Sequence, residues 1–125
     1  LTRDALRLAE KKKQAGDKLG ETLHDAGTLI AAARAGDIEC TEAWNRYLDD
    51  LSNALVSLIN ILDPEIIAVG GGVSGAGDFL IVPLNERVAK GSFFKKPTPV
   101  VKALLGNDAG IAGAALFGAE TAPHR

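Results

Sequence analysis

Three consecutive glycines, Gly70, Gly71 and Gly72, follow directly on the apolar run Ile66-Ile67-Ala68-Val69. A residue without a Cβ lets main chain come into contact with a ligand. A glycine turn at the carboxyl end of a buried strand is where open α/β sheets hold nucleotides. Val73 and the hydroxyl-bearing Ser74 complete the turn. The pattern returns downstream, where Gly106-Asn107-Asp108-Ala109-Gly110 follows a second apolar run, Val100 to Leu105. One such junction is compatible with a plain tight turn; two in 125 residues point toward a nucleotide.

Other chemistry-bearing residues are isolated. His24 and His124 have no second ligand at metal-binding spacing and read as surface histidines. Cys40 is the single cysteine, which excludes an internal disulfide and a multi-cysteine zinc site. Its place on an apolar helical stripe reads as a buried, inert thiol. Asp49-Asp50 and Lys11-Lys12-Lys13 read as solvated faces. With 14 basic and 16 acidic residues the net charge is −2, so there is no basic excess for a nucleic-acid backbone. No apolar run approaches the roughly 20 residues that span a bilayer, and Leu-Thr-Arg-Asp is not the start of a signal peptide. These features favour a reducing, cytoplasmic setting without membrane or nucleic-acid partners. A chain that opens on Leu1 and contains no methionine is expected to be a fragment of a longer protein.

The elements that must position the glycines can be read from periodicity and capping. Residues 1 to about 15 form a charged amphipathic helix with the stripe Ala5, Leu6, Leu8, Ala9, and Gly16-Asp17 breaks it. Residues 18–27 are ambiguous, because Gly20 and Gly27 weaken a helix. Thr28 is the expected N-cap of a short helix over Leu29 to Ala35, with Gly36 just past its end. Asp37 caps a long helix to Leu62. Its apolar stripe is Cys40, Ala43, Trp44, Tyr47, Leu48, Leu51, Ala54, Leu55, Leu58, Ile59 and Leu62. Trp44 and Tyr47 are core residues on it, and the stripe should pack on a sheet. Ser52 falls on the polar face. Val56 and Ile61 lie off the stripe and could touch a partner subunit or an absent domain. Asp63-Pro64 ends the helix. Ile66 to Val69 is a strand covered on both faces. Ser74 to Asp78 is a flexible loop, and Phe79 to about Lys90 a helix in which Pro83 lies in the first turn or makes a kink. Gly91 to Pro99 is a loop and Val100 to Leu105 a strand. Asp108 either caps a final helix, Ala109 to about Ala119, or serves a hinge. The order implies parallel β-α-β pairing, and two strands alone do not make a stable open sheet.

The ordered set Ala32-Ala33-Arg34-Ala35-Gly36-Asp37, Leu58 to Leu62, Asp63-Pro64-Glu65, Gly70-Gly71-Gly72-Val73-Ser74 and Leu105-Gly106-Asn107-Asp108-Ala109-Gly110, continued by Gly113-Ala114-Ala115, resembles the C-terminal part of ROK-family sugar kinases and repressors. The resemblance covers residues 28–118, after a helical lead-in over 1–27. It implies an α/β fold: part of a ribonuclease H-like lobe of the actin/hexokinase ATPase type, with long helices on a small, largely parallel sheet. It implies that Gly71, Gly72 and Val73 lie against adenosine, flanked by Gly70 and Ser74, and that Gly106, Asn107, Asp108 and Gly110 form a second junction near the nucleotide. ATP and Mg²⁺ are implied for the whole protein, as are a sugar substrate bound largely by the other lobe and a homodimer. The family's phosphate loop, its Glu-x-Gly-His sugar motif and its zinc cysteines have no counterpart in this sequence. Asn107-Asp108 is not the dyad that carries the family's catalytic aspartate. The expected function is an ATP-dependent, glucokinase-like hexose kinase, with this chain as its adenosine-binding part and inactive alone. The alternatives are a sugar-responsive repressor and a non-catalytic oligomerisation or binding module.

Overall fold

The longest helix is set by one carboxylate. In the computed structural model, which describes residues 1–92 and 96–103, Asp37 caps helix α3 (Ile38–Leu62), as expected. Its Oδ2 accepts from the Cys40 N–H at 3.0 Å, which satisfies a donor that the first helical turn cannot. Its Oδ1 lies 3.0 Å from Lys12 Nζ. Lys12 belongs to helix α1 (Thr2–Gln14) and is buried among Ala5, Leu8 and Ala9. Asp17 at 3.5 Å and Glu39 at 3.9 Å complete its surroundings. The reading of the three lysines as a solvated face is therefore corrected for Lys12, which is enclosed by carboxylates; Lys11 and Lys13 are exposed as expected, Lys11 pairing with Glu39 at 3.0 Å. Leu6, expected in the stripe of α1, is exposed.

The Asp37 hydrogen bond raises the Lys12 pKa above its ordinary 10.5, against the lowering effect of burial. Partial burial pushes Asp37 up, but hydrogen bonds from Cys40 and the Lys12 charge outweigh it and hold Asp37 below 3.8.

Between α1 and helix α2 (Ala26–Arg34) a 3-10 turn spans Lys18–Glu21. Gly20 is buried there, and a Cβ at that position would meet Ala9 O and Lys13 N at 2.7 Å. The glycine thus serves close approach to α1 and does not weaken a helix. Helix α2 begins earlier than expected. Asp25 is its N-cap, accepting from Thr28 N at 2.8 Å, while Thr28 Oγ1 accepts from Asp25 N at 3.1 Å. Thr28 is the third helical residue of a capping box.

Helix α3 buries Cys40, Ala43, Trp44, Leu48, Ser52, Leu55 and Ile59. Ser52 lies inward despite its hydroxyl, which donates to the Asp49 carbonyl at 2.9 Å and is thereby satisfied. Ala54, Leu58 and Leu62 are exposed although they belong to the expected stripe. The partners of α3 are α2 and α4 (Asp78–Gly91), which cover a narrower arc than eleven apolar positions span. Val56 contacts α4, where a Cβ on Gly91 would sit 2.9 Å from Val56 Cγ2. Ile61 is exposed. Asp63 ends α3 in the left-handed region at φ 44°, which a short polar side chain tolerates.

Strands β1 (Ile67–Val69) and β2 (Val100–Lys102) pair in parallel with Ile67 opposite Val100. Strand β1 excludes Ile66, which is exposed along with Ala68, so the expectation of cover on both faces is not met. Among the described residues the sheet has two strands, and α4 packs against β2. Asn85 of α4 fixes that contact: its Oδ1 accepts from Val100 N at 2.8 Å and its Nδ2 donates to Val100 O at 2.8 Å. Pro83 is the sixth residue of α4, beyond the first turn, and the helix runs on through it to Gly91. The expected extension of β2 through Leu105, the helix over Ala109–Ala119 and His124 lie outside the described residues. Among those described, no helix is long and apolar enough to cross a membrane.

Replacing Asp37 by alanine is expected to cost about 2–4 kcal/mol in chemical denaturation, since it removes a cap and strands a buried ammonium. The contribution of Asp37 is full above 3.8 and fades as pH falls through its lowered folded pKa; that of Lys12 is full below 10.5 and fades as pH rises through its raised one. The stability gap between wild type and Asp37→Asn should therefore be flat between those values and narrow at both extremes. Asn85→Leu leaves both Val100 main-chain groups without their partner and should cost roughly 2–4 kcal/mol by the same measurement.

Candidate functional site

Beyond β1 the chain makes a turn that only glycine can open. Gly71 has φ 85° and ψ −173°, a region essentially closed to residues with a Cβ. A 3-10 turn over Gly72–Ala76 follows, where a flexible loop was expected from Ser74 onward. Ser74 N and Ser74 Oγ both donate to the Gly71 carbonyl, at 3.2 and 2.5 Å. The Ser74 side chain is buried, so its hydroxyl shapes the turn and does not face outward. Gly70, Gly71 and Gly72 are exposed, and Val73 is half-buried against the core.

The turn faces the first residues of α2 across a shallow groove. Two adjoining depressions of about 220 and 280 Å³ share Gly27, Ile30 and Gly72 as lining. One extends to Arg34, Gly75 and Ala76, the other to Thr2, Asp25 and Val73. Nothing lies within 4 Å of where a Cβ on Gly72 or Gly75 would stand. The groove is thus floored by the bare main chain of Gly72 and Gly75 beside apolar side chains, Ile30 and Val73 the largest, which suits a flat heteroaromatic ring.

Charge around the groove is already committed. The Asp25 pKa is lowered, first by the Thr28 N–H and then by the Thr28 hydroxyl. Arg34 Nη2 donates to the Ala76 carbonyl at 2.8 Å, and its guanidinium lies 5.1 Å above the Phe79 ring. Phe79 is parallel to Trp44 at 5.3 Å, and Trp44 stacks on Tyr47 at 5.6 Å. The aromatic residues of α3 belong to the core, and Trp44 Nε1 is buried without a hydrogen-bond partner.

The remaining candidates offer no chemistry. Burial pushes the Cys40 thiol up to about 12, leaving it protonated and unreactive. His24 is exposed, with Nδ1 2.9 Å from the Thr22 carbonyl. Asp49 is exposed, as expected, and pairs with Arg87 Nε at 2.8 Å. A larger depression of about 580 Å³ between α1 and α3 is lined by Arg7, Lys11, Glu39 and Asp49, where the Lys11–Glu39 pair neutralises itself. Another, of about 670 Å³, lies between Asp63–Glu65 and Lys96–Pro99. Among the described residues no three His, Cys, Asp or Glu side chains gather into a cluster.

Of the residues singled out in the sequence, the structure brings Gly72 and Val73 to the groove and puts Gly70 and Gly71 at the turn that forms it. Gly106, Asn107, Asp108 and Gly110 lie outside the described residues. Sequence reasoning missed the opposite wall, Gly27, Ile30 and Arg34. The available signal was an arginine closing a helix otherwise made of small and aliphatic residues.

The ROK family profile matches residues 6–120, which takes in the lead-in before Thr28. The chain is 42% identical over 93 residues to a glucokinase of Thermotoga maritima, covering 73% of this chain and 29% of that protein. It is 38% identical over 96 residues to a glucokinase of Halalkalibacterium halodurans, covering 70% and 27%. The chain thus spans under a third of the length of these curated relatives. A ROK family glucokinase of Streptomyces griseus, solved with glucose and AMPPNP, superposes with a TM-score of 0.75 at 23% identity, over 95% of this chain and 42% of that one. The shared fold is the actin/hexokinase-like ATPase fold, represented here by its helices and a small parallel sheet.

The two central glycines should respond differently to alanine. Gly71→Ala forces a side chain into a disallowed conformation and should cost about 1–3 kcal/mol. Gly72→Ala meets open space and should change thermal stability by less than about 0.5 kcal/mol.

Proposed function

The chain belongs to the ROK family, and from that premise we propose that it is the adenosine-binding part of an ATP-dependent sugar kinase acting on glucose or a related hexose. The observation that carries this reading is the open groove between Gly72 and the first turns of α2, in a fold whose Streptomyces griseus relative was solved with glucose and AMPPNP. Adenine would lie flat between the glycine turn and Ile30, where no Cβ holds it away. Gly70, Gly71 and Ser74 would keep the turn in shape. Gly106, Asn107, Asp108 and Gly110 would form the second junction near the nucleotide.

Phosphoryl transfer moves the γ-phosphoryl from ATP to a sugar hydroxyl, whose proton passes to a carboxylate base, with Mg²⁺ offsetting charge on the phosphates. The groove supplies only the nucleoside side of that reaction. The base, the metal ligands and the sugar contacts belong to other parts of a longer protein, so the 125-residue chain bound to ATP should be catalytically silent. The curated relatives include glucokinases and N-acetyl-D-glucosamine kinases, which favours a kinase over a repressor. The reading also includes action in the cytoplasm and a homodimer, for which exposed Leu58, Ile61 and Leu62 on one face of α3 offer apolar surface.

Ligand-observed NMR should detect saturable binding of ATP and ADP to the chain. Gly72→Leu, which fills the groove without touching the core, should weaken that binding at least about tenfold, or 1.4 kcal/mol, at unchanged melting temperature. Wild-type chain that ignores both nucleotides, or a leucine variant that binds normally, would overturn the assignment. No hexose phosphate should form with the chain alone.

A further inference from the structure

The groove has two walls from distant parts of the sequence, and one side chain fastens them together. Arg34 is the last residue of α2. The ordinary reading of a cation there is complementarity to the helix dipole, which needs no specific partner. Arg34 has two. Its Nη2 donates to the carbonyl of Ala76, the final residue of the 3-10 turn. Its guanidinium carbon lies over the Phe79 ring, which is parallel to that of buried Trp44. Among the described residues no other hydrogen bond joins α2 to the turn. A planar guanidinium can lie on a ring face and donate from its edge at once; an ammonium, a point charge on a flexible stem, has no plane to share between the two.

We propose that Arg34 is a positioning residue for nucleotide binding: by clamping Ala76 and Phe79 it sets the distance between α2 and the glycine turn. This rests on the reading of the groove as an adenosine site. The side chain holds the wall and does not neutralise phosphate, because its guanidinium is turned to the Ala76 carbonyl and the ring. Ser74 N and Gly77 N, bonded within the turn at 3.2 and 3.1 Å, report directly on whether the clamp works.

The test compares wild type, Arg34→Ala and Arg34→Lys in the full 125-residue chain, by amide hydrogen exchange and by ATP titration followed with NMR. Both variants should exchange Ser74 and Gly77 amides faster and bind ATP about tenfold more weakly, the effect expected of losing one charge-assisted hydrogen bond. Lysine keeps the charge, so wild-type ATP affinity in Arg34→Lys would show a mere countercharge and overturn the proposal. Unchanged exchange and affinity in Arg34→Ala would overturn it as well. If wild type binds no ATP, the nucleotide reading fails and the positioning role falls with it. If wild type binds and the variants bind equally, this inference alone fails.

Discussion

A single carboxylate, Asp37, decides how the helices of this chain meet. One oxygen ends the exposed main chain of α3 at Cys40, and the other receives the Lys12 ammonium from α1. Neither partner would suffice alone. An N-cap by itself sets where a helix begins and says nothing about what lies beside it. A buried lysine by itself is a penalty. Joined through one side chain, they fix the end of α1 against the start of α3, and α2 is held between these two points in sequence. Because α2 forms one wall of the groove, the placement of a ligand-sized depression depends on an ion pair that never faces it.

The opposite wall is organised by hydrogen bonds that converge on main chain. Ser74 directs two donors onto the Gly71 carbonyl, so the turn keeps its shape without side chains reaching outward. That leaves the outer surface of Gly72 and Gly75 bare. Phe79 then links the turn to the core through its parallel contact with Trp44. Support for the turn comes from beneath it, and its upper surface is open.

Much of this was legible in the sequence where the signal is local. The period of α3, the Asp37 cap and the stop at Asp63-Pro64 follow from residues within a few positions of one another. So does the glycine junction after β1. Readings failed where the deciding partner is distant. Lys12 looked solvated because two of its carboxylates, Asp37 and Glu39, arrive only with the tertiary fold. The start of α2 was misplaced for a different reason: Asp25 and Thr28 are both good capping residues, and a capping box uses both. Of the groove, the glycine wall was readable and the α2 wall was not, because nothing in Gly27, Ile30 or Arg34 announces a facing turn some 40 positions away.

Asn85 mimics a neighbouring strand, since its amide satisfies both polar groups that Val100 turns away from β1. A side chain seated there closes that flank of β2 to recruitment by other polypeptides, as native sheets do to avoid uncontrolled edge-to-edge joining. Lateral growth is thereby steered to the far flank of β1, so the direction in which further strands can be added is chosen by a helix residue.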